Sequence, residues 1–190
     1  MNRVLSFSLC VLGIIGCVPV SDHPLTLPGD QKLETSLIGT WWGGEGDEIS
    51  YVHIGQLETS EKYLHVLCVQ IDKKGSLERM EFSGHISSVA GNTYLNLTTI
   101  NNQGEMNTDY LLVKYQQSGD TCHFALVSQK VIRQAIEKGR LRGKVKSNLW
   151  SSSVRITEGP EKLRQFVLDR DKELFEERVR LDRLDRQKQE

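Results

Sequence analysis

Clusters of turn-forming residues divide the chain between residues 36 and 157 into short segments of similar length. The segments are rich in β-branched and aromatic residues, and several alternate apolar with polar side chains, which is the period of a β-strand. In one segment Met80, Phe82 and Ile86 alternate with a polar set at 79, 81, 83, 85 and 87, which we expect to face water. The pattern predicts strands at about 38–43, 48–56, 62–72, 76–89, 93–101, 107–117, 121–128, 140–148 and 151–157.

The even spacing of these strands predicts a mainly β fold, either an up-and-down antiparallel β-barrel or a strongly curved sheet. One helix is expected at 129–138, inserted in the series, with an apolar stripe that packs over an end of the barrel. A C-terminal helix is expected after Gly159 and Pro160, with Leu163, Phe166 and Val167 as its docking face. The charged tail from residue 169 is expected to be a solvated helix that frays or, alternatively, a coiled-coil contact with a partner.

The first seventeen residues carry a separate signal. Arg3 is followed by an uncharged run at 4–16, and thirteen residues are too few for a membrane span of about 20. A basic residue before a short apolar run that ends in small residues is typical of a signal peptide. A buried strand or helix that ends in Cys17 by coincidence is the alternative.

Ile14, Gly16 and Cys17 match the lipobox, and the segment resembles the signal peptide of bacterial lipoproteins. The resemblance implies cleavage after Gly16, diacylation of the Cys17 thiol with palmitate-like chains, and an address in the cell envelope. The membrane is then a partner through the lipid on Cys17. Val18 stands where aspartate would retain the protein in the inner membrane, which favours the outer membrane and a domain that faces the periplasm.

Gly39 and Trp41 match the Gly-x-Trp motif that commonly opens small lipocalin-like barrels, and the predicted β-domain resembles that family. The resemblance implies that Trp41 plugs the floor of the barrel, and an ordinary core aromatic near a turn is the alternative. The stretch at 158–175 is similar to the C-terminal helix of uncharacterised bacterial lipoproteins, which bring no known activity. The expected organisation is a signal peptide at 1–16, a proline-rich tether at 17–35, a lipocalin-like β-domain at 36–157 and a helical tail at 158–190.

Cys68 and Cys122 are the cysteines that remain beside Cys17 once the signal peptide is removed. Thiols outside the inner membrane can oxidise, so one expectation is a disulfide, which would contribute about 4 kcal/mol in the chain-entropy model. Two buried thiols on separate strands are the other expectation.

Positive charge is concentrated at 130–168, where 10 basic residues stand against 3 acidic ones. Arg140, Arg142, Lys144 and Lys146 alternate with other residues, so on a strand all four would share one face, the basic row. Such a row suits an anionic partner: lipid phosphates, lipopolysaccharide or an acidic protein surface. The solvated outer face of a strand is the alternative, and no nucleic acid is expected at this address.

No motif for catalysis, a metal or a cofactor accompanies this row. The five histidines lack metal-ligand spacing, and the glycine-flanked segment at 139–144 lacks both the length of a phosphate loop and its Ser or Thr, which Val145 replaces. We therefore expect a non-enzymatic binding module for an anionic envelope component, or for a small apolar ligand inside the barrel. An interaction or assembly protein that uses its C-terminal helix is the second hypothesis. An enzyme in which a pocket brings a histidine to a carboxylate or a second histidine is the third.

Overall fold

The fold is described by a computed structural model for residues 18–29, 35–45, 48–57, 60–101, 103–147 and 152–184, without the side chains of residues 45 and 147. Its strands are β1 Val20–Ser21, β2 Gly39–Glu45, β3 Glu48–Leu57, β4 Ser60–Ile71, β5 Leu77–Val89, β6 Asn92–Thr99, β7 Leu111–Ser118, β8 Thr121–Leu126, β9 Gly143–Ser147, β10 Ser152–Ile156 and β11 Val179–Arg183. Its α-helices are α1 Gln129–Glu137, α2 Pro160–Asp169 and α3 Asp171–Leu174, and a 3-10 turn spans Thr35–Leu37. Residues 1–17, which carry the predicted signal peptide and Cys17, lie outside the described ranges.

Eight strands close into a barrel in the order β11-β2-β3-β4-β5-β6-β7-β8, and every neighbouring pair is antiparallel. The predicted mainly β fold with an up-and-down antiparallel barrel is therefore confirmed. From β2 to β8 the strands follow one another in sequence, so each pairs with the next through a short connection. β11 fills the remaining place between β8 and β2 and removes both free edges.

The prediction of a fraying helical tail after residue 169 is wrong for the stretch that closes the barrel. In β11 the apolar side chains of Val179 and Leu181 join the barrel interior, while Arg180 and Asp182 pair with each other outside at 3.0 Å. This is the alternation of a half-buried strand, but the high density of charge concealed it. The β-domain consequently extends beyond the predicted boundary at 157, and the last tail residues, 185–190, lie outside the described ranges.

The buried part of the barrel interior is formed by one cluster of apolar side chains. Trp41 is completely buried in it, near the end where β2 begins, which we call the floor. Its indole Nε1 donates a hydrogen bond to the carbonyl of Leu37 at 2.9 Å. The other buried members of the cluster are Val18, Leu37, Ile54, Leu64, Val66, Phe82, Leu95, Leu97, Leu111, Val113, Tyr115, Cys122 and Leu181.

Arg183 completes the floor beside Trp41. Its guanidinium carbon lies 4.3 Å from the centroid of the Trp41 ring, within the range of a cation–π contact, and Nη1 donates to the carbonyl of Ile38 at 3.0 Å. Gly39 has a positive φ of 146°, and a Cβ there would stand 2.5 Å from Nη1 of Arg183. The glycine of the Gly-x-Trp motif therefore makes room for an arginine from the last strand.

A second apolar layer lies outside the barrel. The outward side chains of β6, β7 and β8, among them Tyr94 and Leu112, pack with the helices and with β9 and β10. The helix α1 packs against β9, β10 and α3 and contributes nothing to the interior cluster, so it does not cap a barrel end as expected. The predicted strands at 140–148 and 151–157 form β9 and β10, but they belong to a separate sheet with the order β1-β10-β9.

The predicted tether is wrong for its described part, residues 18–29, which we call the N-terminal strap. Val18 is 8% exposed and joins the interior cluster, and Val20 pairs in parallel with Arg155 of β10. Further along, Leu25 is 1% exposed and its backbone N–H donates to Oδ1 of Asn96 at 2.8 Å. Prolines favour an extended chain, but extension is equally suited to a strap whose apolar side chains are buried along a barrel.

Arg79 and Glu81 on the polar face of β5 reach water as predicted, but the rest of this face is buried. Ser83, His85 and Ser87 do point away from the barrel interior, as the alternation predicts, yet all three are buried. Thr26 covers them: its carbonyl accepts a hydrogen bond from Nε2 of His85 at 2.7 Å, and its hydroxyl shares one with Ser87 at 2.6 Å. Alternation identifies the outer face of a strand but does not reveal what lies on top of it.

Cys68 and Cys122 form no disulfide with each other, as in the second of the two arrangements left open by the sequence, although Cys68 is only partly buried. They lie on β4 and β8, which are four strands apart in a ring of eight and so on opposite walls of the barrel. Burial raises the pKa of the Cys68 thiol to about 11. Across the described ranges, no helix has the length and apolar character required to span a membrane.

Candidate functional site

The basic row is divided between a turn and a strand. The helix α1 ends at Glu137, and its last turn is closed by the backbone N–H groups of Gly139 and Arg140, which donate to Ile136 and Ala135. Gly139 has the positive φ of 67° that this ending requires. The strand therefore begins at residue 143 rather than 140, and the expectation that four cations share one strand face is wrong for Arg140 and Arg142.

Lys144 and Lys146 lie on β9 as predicted, and both side chains are exposed. They alternate with Gly143 and Val145, and Val145 packs into the outer apolar layer. The two lysines thus point away from the helices, on the same face of the sheet. Neither lysine forms an ion pair with any residue in the described part of the chain.

Arg142 is partly neutralised by Glu158, although its own side chain is largely exposed. Its Nε lies 3.2 Å from Oε1 of Glu158, and its backbone N–H donates to Oε2 at 3.1 Å. Burial alone would raise the pKa of Glu158, but the backbone hydrogen bonds from Arg142 and Gly159 and the nearby cations outweigh it and hold that pKa below its usual value. The carboxylate is therefore a fixed counter-charge that joins the start of β9 to the end of β10.

Arg155 is the cross-strand neighbour of Lys144 on the same face, but its charge is already paired. Its guanidinium donates to both carboxylate oxygens of Asp109, at 2.7 and 2.5 Å, and to Oδ1 of Asp22 at 2.7 Å. The hydrogen bonds to Asp109 and Asp22 raise the pKa of Arg155 further above its usual range. Arg155 therefore clamps the N-terminal strap to the loop before β7 and leaves Lys144 and Lys146 as the face's available cations.

The register of the sheet places these two lysines beside the beginning of the strap. Val20 pairs with Arg155, and Arg155 pairs with Lys144, so the three residues lie at one level. With about 4.8 Å between neighbouring strands, Val20 and Lys144 are about 10 Å apart. Lys146 lies two residues further along β9, toward the side from which the chain enters the strap.

The other predicted features do not form a comparable site. The barrel interior, where a small apolar ligand was considered, holds the buried side chains of the interior cluster around Trp41, while inward-facing Cys68 and Met80 are only partly buried. The apolar face predicted for α2 is used within the chain itself, since Leu163 and Val167 are buried in the outer layer. The outer layer is pinned there by Asp171, which accepts from the hydroxyl of Tyr94 at 2.7 Å and contacts the ammonium of Lys114.

The histidines are distributed rather than gathered. His65 lies 3.5 Å from Glu81 on the outer wall, where both side chains are one-third exposed and nothing in the described ranges encloses them. His85 is buried under the strap, with the rings of Tyr63 and Tyr110 edge-on at 6.0 and 6.4 Å. Burial lowers the pKa of His85, although its hydrogen bond to Thr26 acts in the other direction. Within the described residues, no three His, Cys, Asp or Glu side chains are grouped to hold a metal ion.

Sequence reasoning did not single out Arg155 or its two carboxylate partners. Asp22 fell within the predicted tether, and Asp109 stood at the edge of a predicted strand, so no pattern joined them to Arg155. The alternation of Lys144 and Lys146 was the one signal strong enough to place a cation on a particular face.

A scan against protein-family models, a search of curated proteins and a search of solved structures found no match to this chain. The closed eight-stranded antiparallel barrel is compatible with a lipocalin-like fold.

Proposed function

We propose that this protein is a lipid-anchored component of the cell envelope that binds an anionic partner through Lys144 and Lys146 and catalyses no reaction. The observation that carries the proposal is the pair of exposed lysines on β9. Their neighbour Arg155 is paired with two carboxylates, whereas neither lysine forms an ion pair with a described residue. Two like charges on alternate residues of one strand repel each other in the free protein, and an anionic partner relieves that repulsion.

The address in the envelope is supported by the sequence at residues 1–17. The match of Ile14, Gly16 and Cys17 to a lipobox implies a mature chain that begins with a lipidated cysteine. Each buried acyl CH₂ contributes about 0.8 kcal/mol, so two or three chains hold a protein firmly in a bilayer. Val18 after the cysteine favours the outer membrane, with the barrel in the periplasm.

The competing functions have less support from the arrangement of side chains. A ligand deep in the barrel would have to displace the buried side chains around Trp41 and Phe82. A partner for α2 would have to compete with the barrel for Leu163 and Val167. An enzyme built on His65 and Glu81 would work on an open wall in contact with water, where a histidine and a carboxylate have little mutual effect.

The test is a binding experiment with the mature chain carrying Cys17→Ser, which has no site for the lipid. Sedimentation with vesicles of phosphatidylcholine, with or without phosphatidylglycerol, and with lipopolysaccharide aggregates measures the preference for an anionic surface. We expect binding to the anionic surfaces that weakens as salt is raised, and a loss of about thirtyfold in the K144Q/K146Q double variant, since each lysine near a charged surface is worth about 1 kcal/mol.

The matched control is K62Q/K138Q, which removes the same charge from two exposed lysines that do not belong to this sheet. It is expected to bind as the parent chain does. Equal losses in both double variants would mean that net charge alone determines binding, and the proposal of a binding face would be abandoned.

A further inference from the structure

The strap leaves no free length of chain between position 17 and the folded domain. A tether of nineteen residues, as the sequence suggested, could extend to about 60 Å. Instead Pro19 and Val18 are already buried and Val20 is already paired with β10. The first described residue, Val18, is therefore already packed at the end of the barrel where β7 begins, beside the three-stranded sheet.

The lysines of β9 lie on the opposite edge strand of that sheet, and Lys146 lies toward the same end of the sheet as the start of the strap. Lys144 is level with Val20, about 10 Å away across β10, and Lys146 lies two residues further along β9 in the direction of Val18. The Debye length at physiological ionic strength is about 8 Å, so over about 10 Å the attraction between these lysines and an anionic surface is weakened but not abolished, and it decreases further as salt is added. Asp22 and Asp109 both pair with Arg155, which balances one of their two negative charges, so with Lys144 and Lys146 these five groups keep a net charge of +1.

We infer that the sheet β1-β10-β9 is a membrane-facing edge, on which Lys144 and Lys146 bind anionic phospholipid headgroups of the same membrane that holds the lipid on Cys17. The inference rests on the proposed lipidation and names the partner of the proposed binding face. The acyl chains supply the membrane affinity, and the lysines set the orientation of the barrel, with the floor and Trp41 directed away from the bilayer. A distant acidic protein or lipopolysaccharide of the opposite leaflet would require the reach of a tether, which the strap does not provide.

The experiment measures lysine accessibility in mature protein purified from its own membrane. Its intact mass is recorded first, and the same preparation is then reconstituted into vesicles of phosphatidylcholine alone or mixed with phosphatidylglycerol. A short pulse of an acetylating reagent, read by peptide mass spectrometry, gives the modification rate of each lysine. We expect Lys144 and Lys146 to react at least about fivefold more slowly in the anionic vesicles, with high salt restoring the rate, while Lys62 and Lys138 react equally in both.

The possible results distinguish a failure of the membrane-facing edge from a failure of the proposed lipid anchor. Equal rates at Lys144 and Lys146 in both kinds of vesicle, for protein whose mass carries the acyl chains, would overturn the membrane-facing edge and leave the anchor in place. Protection of Lys62 with free reaction of Lys144 would show the opposite orientation and would equally overturn it. A mass without acyl chains would refute the lipid anchor itself and the inference with it. Protection of Lys144 only after lipopolysaccharide is added would assign the face to that partner instead.

Discussion

Replacing Leu25 with alanine distinguishes a strap from a tether. Leu25 is 1% exposed in the outer apolar layer, so Leu25→Ala deletes three buried carbon atoms. At about 0.8 kcal/mol for each buried CH₂, the transfer term is about 2.4 kcal/mol, and the cavity left behind raises the expected loss to about 3 kcal/mol. The backbone N–H of residue 25 can still donate to Asn96, so the hydrogen bond is retained and the loss measures burial.

The assay is equilibrium unfolding in urea, with the free energy of unfolding compared between the parent chain and the variant. Leu27→Ala is the matched control, because Leu27 lies two residues along the same strap but is 80% exposed, and it is expected to change the stability by less than about 0.5 kcal/mol. If residues 18–29 were a free tether, both variants would be neutral. A Leu25→Ala variant as stable as Leu27→Ala would therefore refute the packed strap.

Three further predictions concern other parts of the barrel. Gly39→Ala is expected to lower the free energy of unfolding by about 2 kcal/mol, because residue 39 has a positive φ and the new Cβ meets Arg183. The loss is measured as a lower Tm, and an unchanged Tm would contradict this description of the floor. The pKa of His85 is lowered in the folded chain, so the unfolded chain binds a proton at His85 at a higher pH than the folded chain does. The contribution of neutral His85 to the free energy of unfolding is therefore complete above a pH of about 6.5 and is lost as the pH falls below it. Urea unfolding at several pH values should therefore show a weaker decline in acid for His85→Gln than for the parent chain, and parallel profiles would contradict the assignment. Finally, Cys68 and Cys122 are expected to react slowly with a thiol reagent in the native chain and to react completely in urea without a reductant. If the two thiols reacted in urea only after a reductant was added, they would be joined by a disulfide.

The sequence predicted the barrel strands well wherever apolar and polar side chains alternate above an interior. The strands β3 and β5 and the helix α1 lie within a residue or two of their predicted bounds. Periodicity reports which side chains share a face, and this was sufficient for the fold class. It cannot report which sheet a strand joins, and so β9 and β10 were predicted to continue the meander although they pair with the strap.

The wrong predictions concern segments whose composition indicated exposure to solvent but which are buried by contacts with distant parts of the chain. The strap contains Pro19, Pro24 and Pro28, which suggested a tether, and the few apolar residues between them were too sparse to predict burial. In β11 the alternation of Val179 and Leu181 was short and surrounded by charge. Both segments are far in sequence from the strands they contact, so local patterns carried no information about the pairing.

The candidate site was predicted in part for the same reason. Lys144 and Lys146 share a face because they alternate on a strand, and this could be read from the sequence. Arg140 and Arg142 were added to the row because the strand was predicted to begin at residue 140, whereas the turn that closes α1 includes Arg140 and β9 begins at Gly143. The neutralisation of Arg155 by Asp22 and Asp109 joins three distant segments, and only the folded chain brings them together.

The intact mass of the mature protein purified from its native membrane tests the central claim most directly. The account predicts a chain that begins at Cys17 and carries a diacylglyceryl group, with or without a further acyl chain on its amino group, and predicts that Cys17→Ser abolishes this form. A chain that retains Met1, or one that is processed elsewhere and carries no lipid, would contradict the anchored protein and with it the membrane-facing edge.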